Sequence, residues 1–499
     1  MTSSFSEWLS AQNVSLNGIR LESLPGTGGT RVMATRKIKK GDPLCSVPES
    51  AVLSLHTASN AATEALLDVD EPPWPDSAVQ TLVVSYEQRL GDKSRWHPYL
   101  AAVQPADSPL LWEDNALALV AGTGLDEAAR KWREELSAEH AAMRQHLRER
   151  SRHQHDPTFS AMAAVPLRAF MEAASLMASR AFFIDGTHGD ALVPAADAFN
   201  HKCALVPEDD SDEDEDEEEE DDEEQGPRPL RAVSASVRAA ALSSGANLVM
   251  DCTFRSWGER GEAEDDEEEV CEEGEGEDKE KGEEEGEEEG GVILGQVAMR
   301  DLPSGREVWT TYGEFGNRKL LLDYGFALAD NPLDVAELSW SALEAAGEAT
   351  LGAVTWAARV AKLTSSLSIV SRTLLHRDFP FDRSGEPPTD LQLLLWLLCV
   401  ESVPKAKQVD RFNAARAKQR LGLPAARELL SRAIDRQLDM YTSCGQTDAS
   451  VPAASKKRRR TQKEARNDIG ASSARLENIA RLVEGERRIW QSARAWVVG

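Results

Sequence analysis

Two short stretches gather residue types that align a polar ligand by hydrogen bonds. The first, VPAADAFNHK at residues 193–202, ends an apolar run with a carboxamide and an imidazole, Asn200 and His201. The second, VWTTYGEFGNRKLLLDYGFALADNP at residues 308–332, holds Tyr312 and Tyr324, two of the five tyrosines in 499 residues, each followed by glycine. Phenol, amide and imidazole groups donate and accept, and fixing reacting partners in this way is a large part of catalysis. Taken singly, each has a plainer reading. An Asn-His pair caps a helix or sits in a loop, tyrosines on strands pack in cores, and Ser179 and Asp197 cap helices and turns. The six cysteines, at 45, 203, 252, 271, 399 and 444, include no C-x-C or C-x-x-C pair, so no cysteine-built zinc site is expected.

Positioning such residues falls to the elements around them. FSEWLSAQNV at 5–14 reads as a short amphipathic helix. Residues 19–50 read as strand, Gly-rich turn, strand, Lys-Gly turn, strand, with the short apolar runs flanked by Gly or Pro that β-hairpins need. Residues 51–180 are mainly helical in pattern, notably 76–90, 125–153 and 167–183. ANLVMDCTF at 246–254 predicts a strand, and 291–313 predicts strand, Pro-Ser-Gly turn, strand. From about 334 the pattern is helical throughout. TDLQLLLWLLCVES at 389–402 is apolar nearly all round, as a buried helix is, and 473–498 predicts an amphipathic final helix.

The formal charge of −30 is concentrated in two segments. Residues 208–224 hold sixteen acids and no base, and residues 259–289 hold twenty acids against Arg260, Lys279 and Lys281. These contribute −16 and −17, so the remainder is about +3 (−30 plus 33), an ordinary value. Like-charge blocks of this kind bury too little apolar area to offset ordering and are expected to stay disordered. The longest apolar run, 393–400, is far too short to span a bilayer. The opening MTSSFSEWLS lacks the basic start and apolar stretch of a signal peptide. With scattered single cysteines, these features lead us to expect a protein of the cytoplasm or nucleus without a membrane partner.

GTGGTRVMATRKIKKGDPLCSVP, SRAFF with LVPAADAFNH, and MRDLPSGREVWTTYGEFGNRKLLLDYGF resemble, in order and spacing, the motifs of SET-domain methyltransferases. WHPYLAAVQPADSPLLWEDNALALVAGTGL at 96–125 is similar to the helical insertion of the Rubisco large-subunit lysine methyltransferase-like branch, and no Cys-rich segment follows Tyr324. The resemblance spans roughly residues 5–340. It implies an α+β chain: a SET β fold with a pseudoknot over 1–333, a helical insertion at about 56–175, and acidic inserts at about 206–228 and 258–290. An all-α substrate-binding-like domain would follow at 334–499, with a basic loop at about 445–472. The patch KKRRR at 456–460 resembles a nuclear localisation signal or a solvated loop.

The same resemblance implies S-adenosyl-L-methionine as cofactor and no metal. Gly28, Gly29 and Thr30 match the turn at the cofactor's methionine end. Ser179 and Arg180 match a pair near its carboxylate, and Asn200 and His201 match the pair that holds its adenosyl and amino groups. Tyr312 matches the catalytic tyrosine, with Phe326 packing near the cofactor. Asp197, in a strand leading to the motif, would join Phe199 and Tyr324 along a substrate channel. One departure is Arg31, where the family shows a second glycine of Gly-x-Gly. The implied activity is methylation of a protein lysine by a monomer, on a basic protein such as a histone, ribosomal or translation protein, with no direct nucleic acid. Histidine methylation, and an inactive acidic scaffold for basic proteins, are the alternatives.

Overall fold

A computed structural model of the protein describes residues 3–24, 29–203, 248–255, 293–366, 374–400, 423–444 and 473–498. Gly28, the acidic inserts and the basic loop lie outside the described residues. The chain forms two compact units. One comprises Met1–Asp68, Tyr86–Gln104 and Arg180–Thr311; the other comprises Val69–Ser85, Pro105–Ser179 and Tyr312–Gly499. No division falls at residue 333. Residues 105–179, part of the expected insertion, cluster with the C-terminal helices.

Among the described residues the first unit carries ten strands: β1 (Ser15–Leu16), β2 (Ile19–Ser23), β3 (Thr30–Ala34), β4 (Pro43–Pro48), β5 (Ala181–Phe183), β6 (Asp190–Leu192), β7 (Asn200–His201), β8 (Leu248–Arg255), β9 (Ile293–Ala298) and β10 (Trp309–Thr310). Six form one sheet in the order β1-β4-β9-β8-β10-β7, while β2-β3 and β5-β6 are separate hairpins. In β3 the buried Val32 and Ala34 alternate with the half-buried Arg31 and Met33, the period of two that a one-sided strand requires. Leu24 N–H donates to Gly29 O at 2.8 Å, just beyond the β2–β3 pairing. Arg31 lies opposite Glu22 across the hairpin and pairs with its Oε2 at 2.8 Å. The arginine found in place of the second glycine is therefore engaged in a cross-strand ion pair.

The helix expected over 167–183 stops at Arg180. Residues 181–183 instead pair antiparallel with β6, Ala181 opposite Leu192 and Phe183 opposite Asp190. The loop between these strands is tied by Asp185, whose Oδ1 accepts from the backbone N–H of Thr187 at 2.9 Å and of His188 at 2.7 Å. That short-range closure favours a hairpin over another helical turn.

The second unit is mostly helical, yet it is not all-α. β11 (Ala336–Leu338) and β12 (Phe379–Phe381) pair antiparallel, with Ala336 opposite Phe381 and Leu338 opposite Phe379. All four of these residues are fully buried, while Pro380 between the phenylalanines is exposed. Around them pack Trp356, Leu394, Leu398, Leu430, Ile434 and Trp490. Helix Thr389–Cys399 buries seven of its eleven residues, as its all-round apolar pattern predicts. Helix Ser473–Val498 buries Ile479, Leu482, Val483, Glu486, Ile489, Trp490, Ala493 and Val497, which follow helical spacing. Among the described residues no single helix is long and apolar enough to cross a membrane.

Helix Asn317–Tyr324 ends at Gly325, whose φ of 75° is left-handed, the usual C-terminal stop. A Cβ built there would lie 2.7 Å from the backbone nitrogen of Asp107. Asp107 cannot retreat easily, because Arg475 grips its carboxylate, with Nε 2.9 Å and 3.0 Å from the two oxygens. Asn478 Nδ2 also donates to Gly325 O at 3.2 Å, and Arg481 Nη1 donates to Ala327 O at 2.9 Å. Gly325→Ala should therefore lower the apparent unfolding free energy by at least the left-handed penalty of about 1–2 kcal/mol, read as an earlier urea transition. A variant as stable as the parent would show this account of the stop to be mistaken.

Candidate functional site

β7 and β10 run parallel, with Trp309 opposite Asn200 and Thr310 opposite His201. Lys202 N–H extends the ladder to Thr310 O at 2.8 Å. Residues 200–202 and 309–310, far apart in sequence, thus lie side by side. Asn200 Nδ2 donates to Glu307 Oε1 at 2.9 Å, across 107 positions, which fixes the carboxamide's orientation. His201 is 7% exposed, and burial pulls its pKa down from 6.5 to about 4. Near neutral pH it is an uncharged imidazole.

Just upstream, the backbone makes a tight turn. Asp197 lies in a 3-10 turn, Ala196–Ala198, and not in the strand expected from the sequence. The turn forms because Asp197 N–H reaches Val193 O at 3.2 Å and Ala198 N–H reaches Ala195 O at 3.2 Å, which leaves Ala195 at a φ of 73°. Ala195 is fully buried, and a left-handed non-glycine residue held inside a fold stores strain. Asp197's side chain is 3% exposed and is clamped by two donors. Arg180 Nη1 lies 2.9 Å from Oδ2, and the Tyr99 hydroxyl donates to the same oxygen at 2.9 Å. Burial, with Asp197 beside it, pushes the Tyr99 phenol's pKa well up, so it remains a donor. Asp197 therefore orients Arg180 and Tyr99, and its carboxylate is committed to them instead of lining a channel.

The other expected residues are distributed as follows. Gly29 and Thr30 stand at the start of β3, where Thr30 pairs with Ser23. Phe199 is buried at 1% exposure between Asp197 and Asn200. Ser179 ends a helix turn, its hydroxyl donating to Ser175 O at 2.9 Å and Leu176 O at 3.2 Å, so that group serves its own helix. Beside β10, an open cavity of about 450 Å³ is lined by Lys202, Arg300, Arg306, Glu307 and Trp309 among others. The loop that the expected pseudoknot would thread begins after His201 and lies largely outside the described residues.

In the second unit Tyr312, Tyr324 and Phe326 form one aromatic cluster. Tyr312 stacks on Tyr324 with centroids 4.7 Å apart, and Phe326 meets Tyr312 edge-on at 6.4 Å. Phe315 extends the stack, 6.2 Å from Tyr324. Burial pushes the Tyr324 phenol's pKa up, which keeps it neutral. Gly313 makes this packing possible: its φ is 134°, and a Cβ there would lie 2.7 Å from the Phe315 ring. Buried Asn317 ties the start of helix Asn317–Tyr324 to the residues that follow the helix, Leu328 and Asp334. Its Nδ2 donates to Leu328 O and to Asp334 Oδ2, each at 3.0 Å, and its N–H donates to Asp334 Oδ1 at 2.8 Å. Neutral aromatic faces attract organic cations and exclude water.

Tyr99, Glu307, Asn317, Asp334 and Asn478 hold these groups in place and escaped the sequence reading. Each acts on a partner distant in sequence or through a common residue type, and no local pattern marks them.

No family model matches the chain. Over 349 residues it is 24% identical to ribosomal lysine N-methyltransferase 3 of Saccharomyces cerevisiae, covering 62% of this chain and 59% of that protein. Over 101 residues it is 31% identical to SET domain-containing protein 4 of Homo sapiens, covering 20% of this chain and 22% of that one. The chain thus spans less than two thirds of the length of these curated relatives. Among solved structures it is similar to the SET domain of LSMT bound to lysine and AdoHcy, with a TM-score of 0.57 at 14% identity, over 99% of this chain and 90% of that one. It is also similar to Rubisco LSMT bound to sinefungin and monomethyllysine, with a TM-score of 0.56 at 14% identity, over 100% and 92%.

Two outcomes follow from this geometry. Arg180→Ala leaves a buried carboxylate without its cation and should cost about 3–5 kcal/mol, whereas Tyr99→Phe removes one hydrogen bond to a charge and should cost about 1.5–3 kcal/mol; equal losses in chemical denaturation would contradict the assigned roles. His201 sets an acid-side slope. Its stabilising effect is complete above pH 6.5 and is lost as pH falls toward about 4, because the unfolded chain takes up a proton that the folded one refuses. Melting temperature followed across this window should fall less steeply in His201→Asn.

Proposed function

We propose that this chain, whose fold is the α+β SET-domain fold of the Rubisco LSMT structures, is an S-adenosylmethionine-dependent protein-lysine N-methyltransferase. The observation that supports it most is the parallel register of β7 and β10, which aligns the Asn-His pair with the strand leading directly to Tyr312. The donor set suits the cofactor. An amide oriented by Glu307, an imidazole kept neutral by burial, and the Arg180 guanidinium match adenosyl, amino and carboxylate groups. When bound, S-adenosylmethionine supplies a sulfonium-activated methyl group, which an amine nitrogen accepts with its lone pair as the carbon–sulfur bond breaks toward sulfur.

The chain's own residues supply alignment and dryness. Asn200 and His201 bind without adding charge of their own. Tyr312, backed by Tyr324 and Phe326, orients that amine through its hydroxyl and shields it from water. The lysine must shed its proton before it attacks, and the positive sulfonium of the bound cofactor beside it favours the neutral amine. The substrate is a protein. We assign it to the basic proteins of the cytoplasm or nucleus, toward which the acidic segments 208–224 and 259–289 would steer the enzyme in a salt-dependent way.

Labelled cofactor incubated with the full chain and cell extract should mark a protein band, and mass spectrometry should find the methyl group on lysine. Methyl groups on histidine would transfer the case to the rival activity. Cofactor binding without any label would favour the scaffold. Tyr312→Phe should reduce labelling roughly 10²-fold or more while calorimetry shows S-adenosylmethionine affinity within a few-fold of the parent; full activity in that variant would remove Tyr312 from the mechanism.

A further inference from the structure

Away from these residues, three side chains of the first unit converge. Glu49 begins a 3-10 turn after β4, His56 follows in the next turn, and His188 lies in the loop joining β5 to β6. The two segments are latched by reciprocal backbone bonds between Leu53 and Leu192, both 3.0 Å. Nε2 of His188 is 3.1 Å from Glu49 Oε1, and Nε2 of His56 is 3.6 Å from the same oxygen. One ligand atom from each residue lies within 4.8 Å of the others. Ligands about 2.0–2.1 Å from a tetrahedral zinc ion stand about 3.3 Å apart, so two of the three separations already match.

We propose that Glu49, His56 and His188 form a binding site for a divalent transition metal of the zinc type. The surroundings are those of a ligand set. His188 is 5% exposed, and its Nδ1 faces Asp185, 2.9 Å from Oδ1 and 3.1 Å from Oδ2. A carboxylate on the far nitrogen fixes the tautomer of a metal-bound histidine and raises its basicity, leaving Nε2 for the ion. Asp185 is itself held by the backbone N–H groups of Thr187 and His188. A dication bound here would lie beside two carboxylates, Glu49 and Asp185.

The His56 and His188 rings meet edge-on with centroids 5.2 Å apart, and each presents a nitrogen to the same Glu49 oxygen. Imidazole nitrogen selects zinc, copper, nickel or iron over calcium and magnesium, which take oxygen. With three protein ligands, the fourth position falls to water, reached past His56, whose side chain is 54% exposed. The bound ion would join the turn after β4 to the loop preceding β6, the strand that leads into residues 193–202.

The test is calorimetric titration of the full chain, stripped by a chelator, with zinc chloride near pH 7.5. One equivalent should bind, and magnesium chloride should not compete. His56→Ala, at an exposed position, should fold normally and lose at least tenfold in zinc affinity, as should His188→Ala. Asp185→Asn should weaken binding about 10–100-fold at unchanged stoichiometry. The cobalt-loaded protein should show tetrahedral nitrogen and oxygen bands with no thiolate charge-transfer band. Absence of stoichiometric zinc, unchanged affinity in His56→Ala (as from binding to the acidic segments), or a thiolate band would each overturn the proposal.

Discussion

The first unit depends on a pairing only two residues long. β7 and β10 supply Asn200, His201, Trp309 and Thr310, and their parallel register decides which side chains stand together. Parallel strands cannot be joined by a tight turn; they need a long crossover. Here the crossover carries β8 and β9, which fill the sheet between β4 and β10. A slip of one residue would turn His201 from its buried face to the other side of the sheet. The register is held by more than the ladder. Glu307 fixes Asn200 from the side, and Val308 N–H donates to Val32 O at 2.8 Å on β3.

Around this pairing the polar groups are either neutral or matched. His201 and the Tyr99 phenol are kept uncharged by burial. Asp197, nearly inaccessible, is paired with Arg180 and accepts from the Tyr99 hydroxyl. The pattern has a cost, since buried ions lose their hydration, but it gives fixed directions to hydrogen bonds that surface groups could not hold. In the second unit the same logic recurs in Asn317 and Asp334, which satisfy each other and the backbone on both sides.

Much of this was legible in the sequence where a local rule applies. The β2–β3 hairpin follows from short apolar runs flanked by Gly and Pro. The likeness to the LSMT structures bears out the SET-domain fold read from three separated motifs. Where the reading failed, the deciding contact was non-local or the element too short. Three-residue strands such as β11 and β12 give no usable periodicity, and Pro380 makes β12 look like a loop. Residues 181–183 extended a helical pattern until the hairpin with β6 claimed them. Asp197 read as strand because a turn that places an alanine at positive φ has no sequence signature. Its partner Tyr99 lies 98 positions away, and His188 lies 139 from Glu49, so neither cluster could be read along the chain.

Ala195 bears on how this region comes apart. Its methyl group is confined where an isolated alanine would not stay, and only the bonds of residues 193–198 and their buried neighbours keep it there. Any opening that frees one of those bonds also releases the stored tension, which then works against the rest. The loop before Asn200 should therefore yield all at once, like a latch, rather than fray from one end.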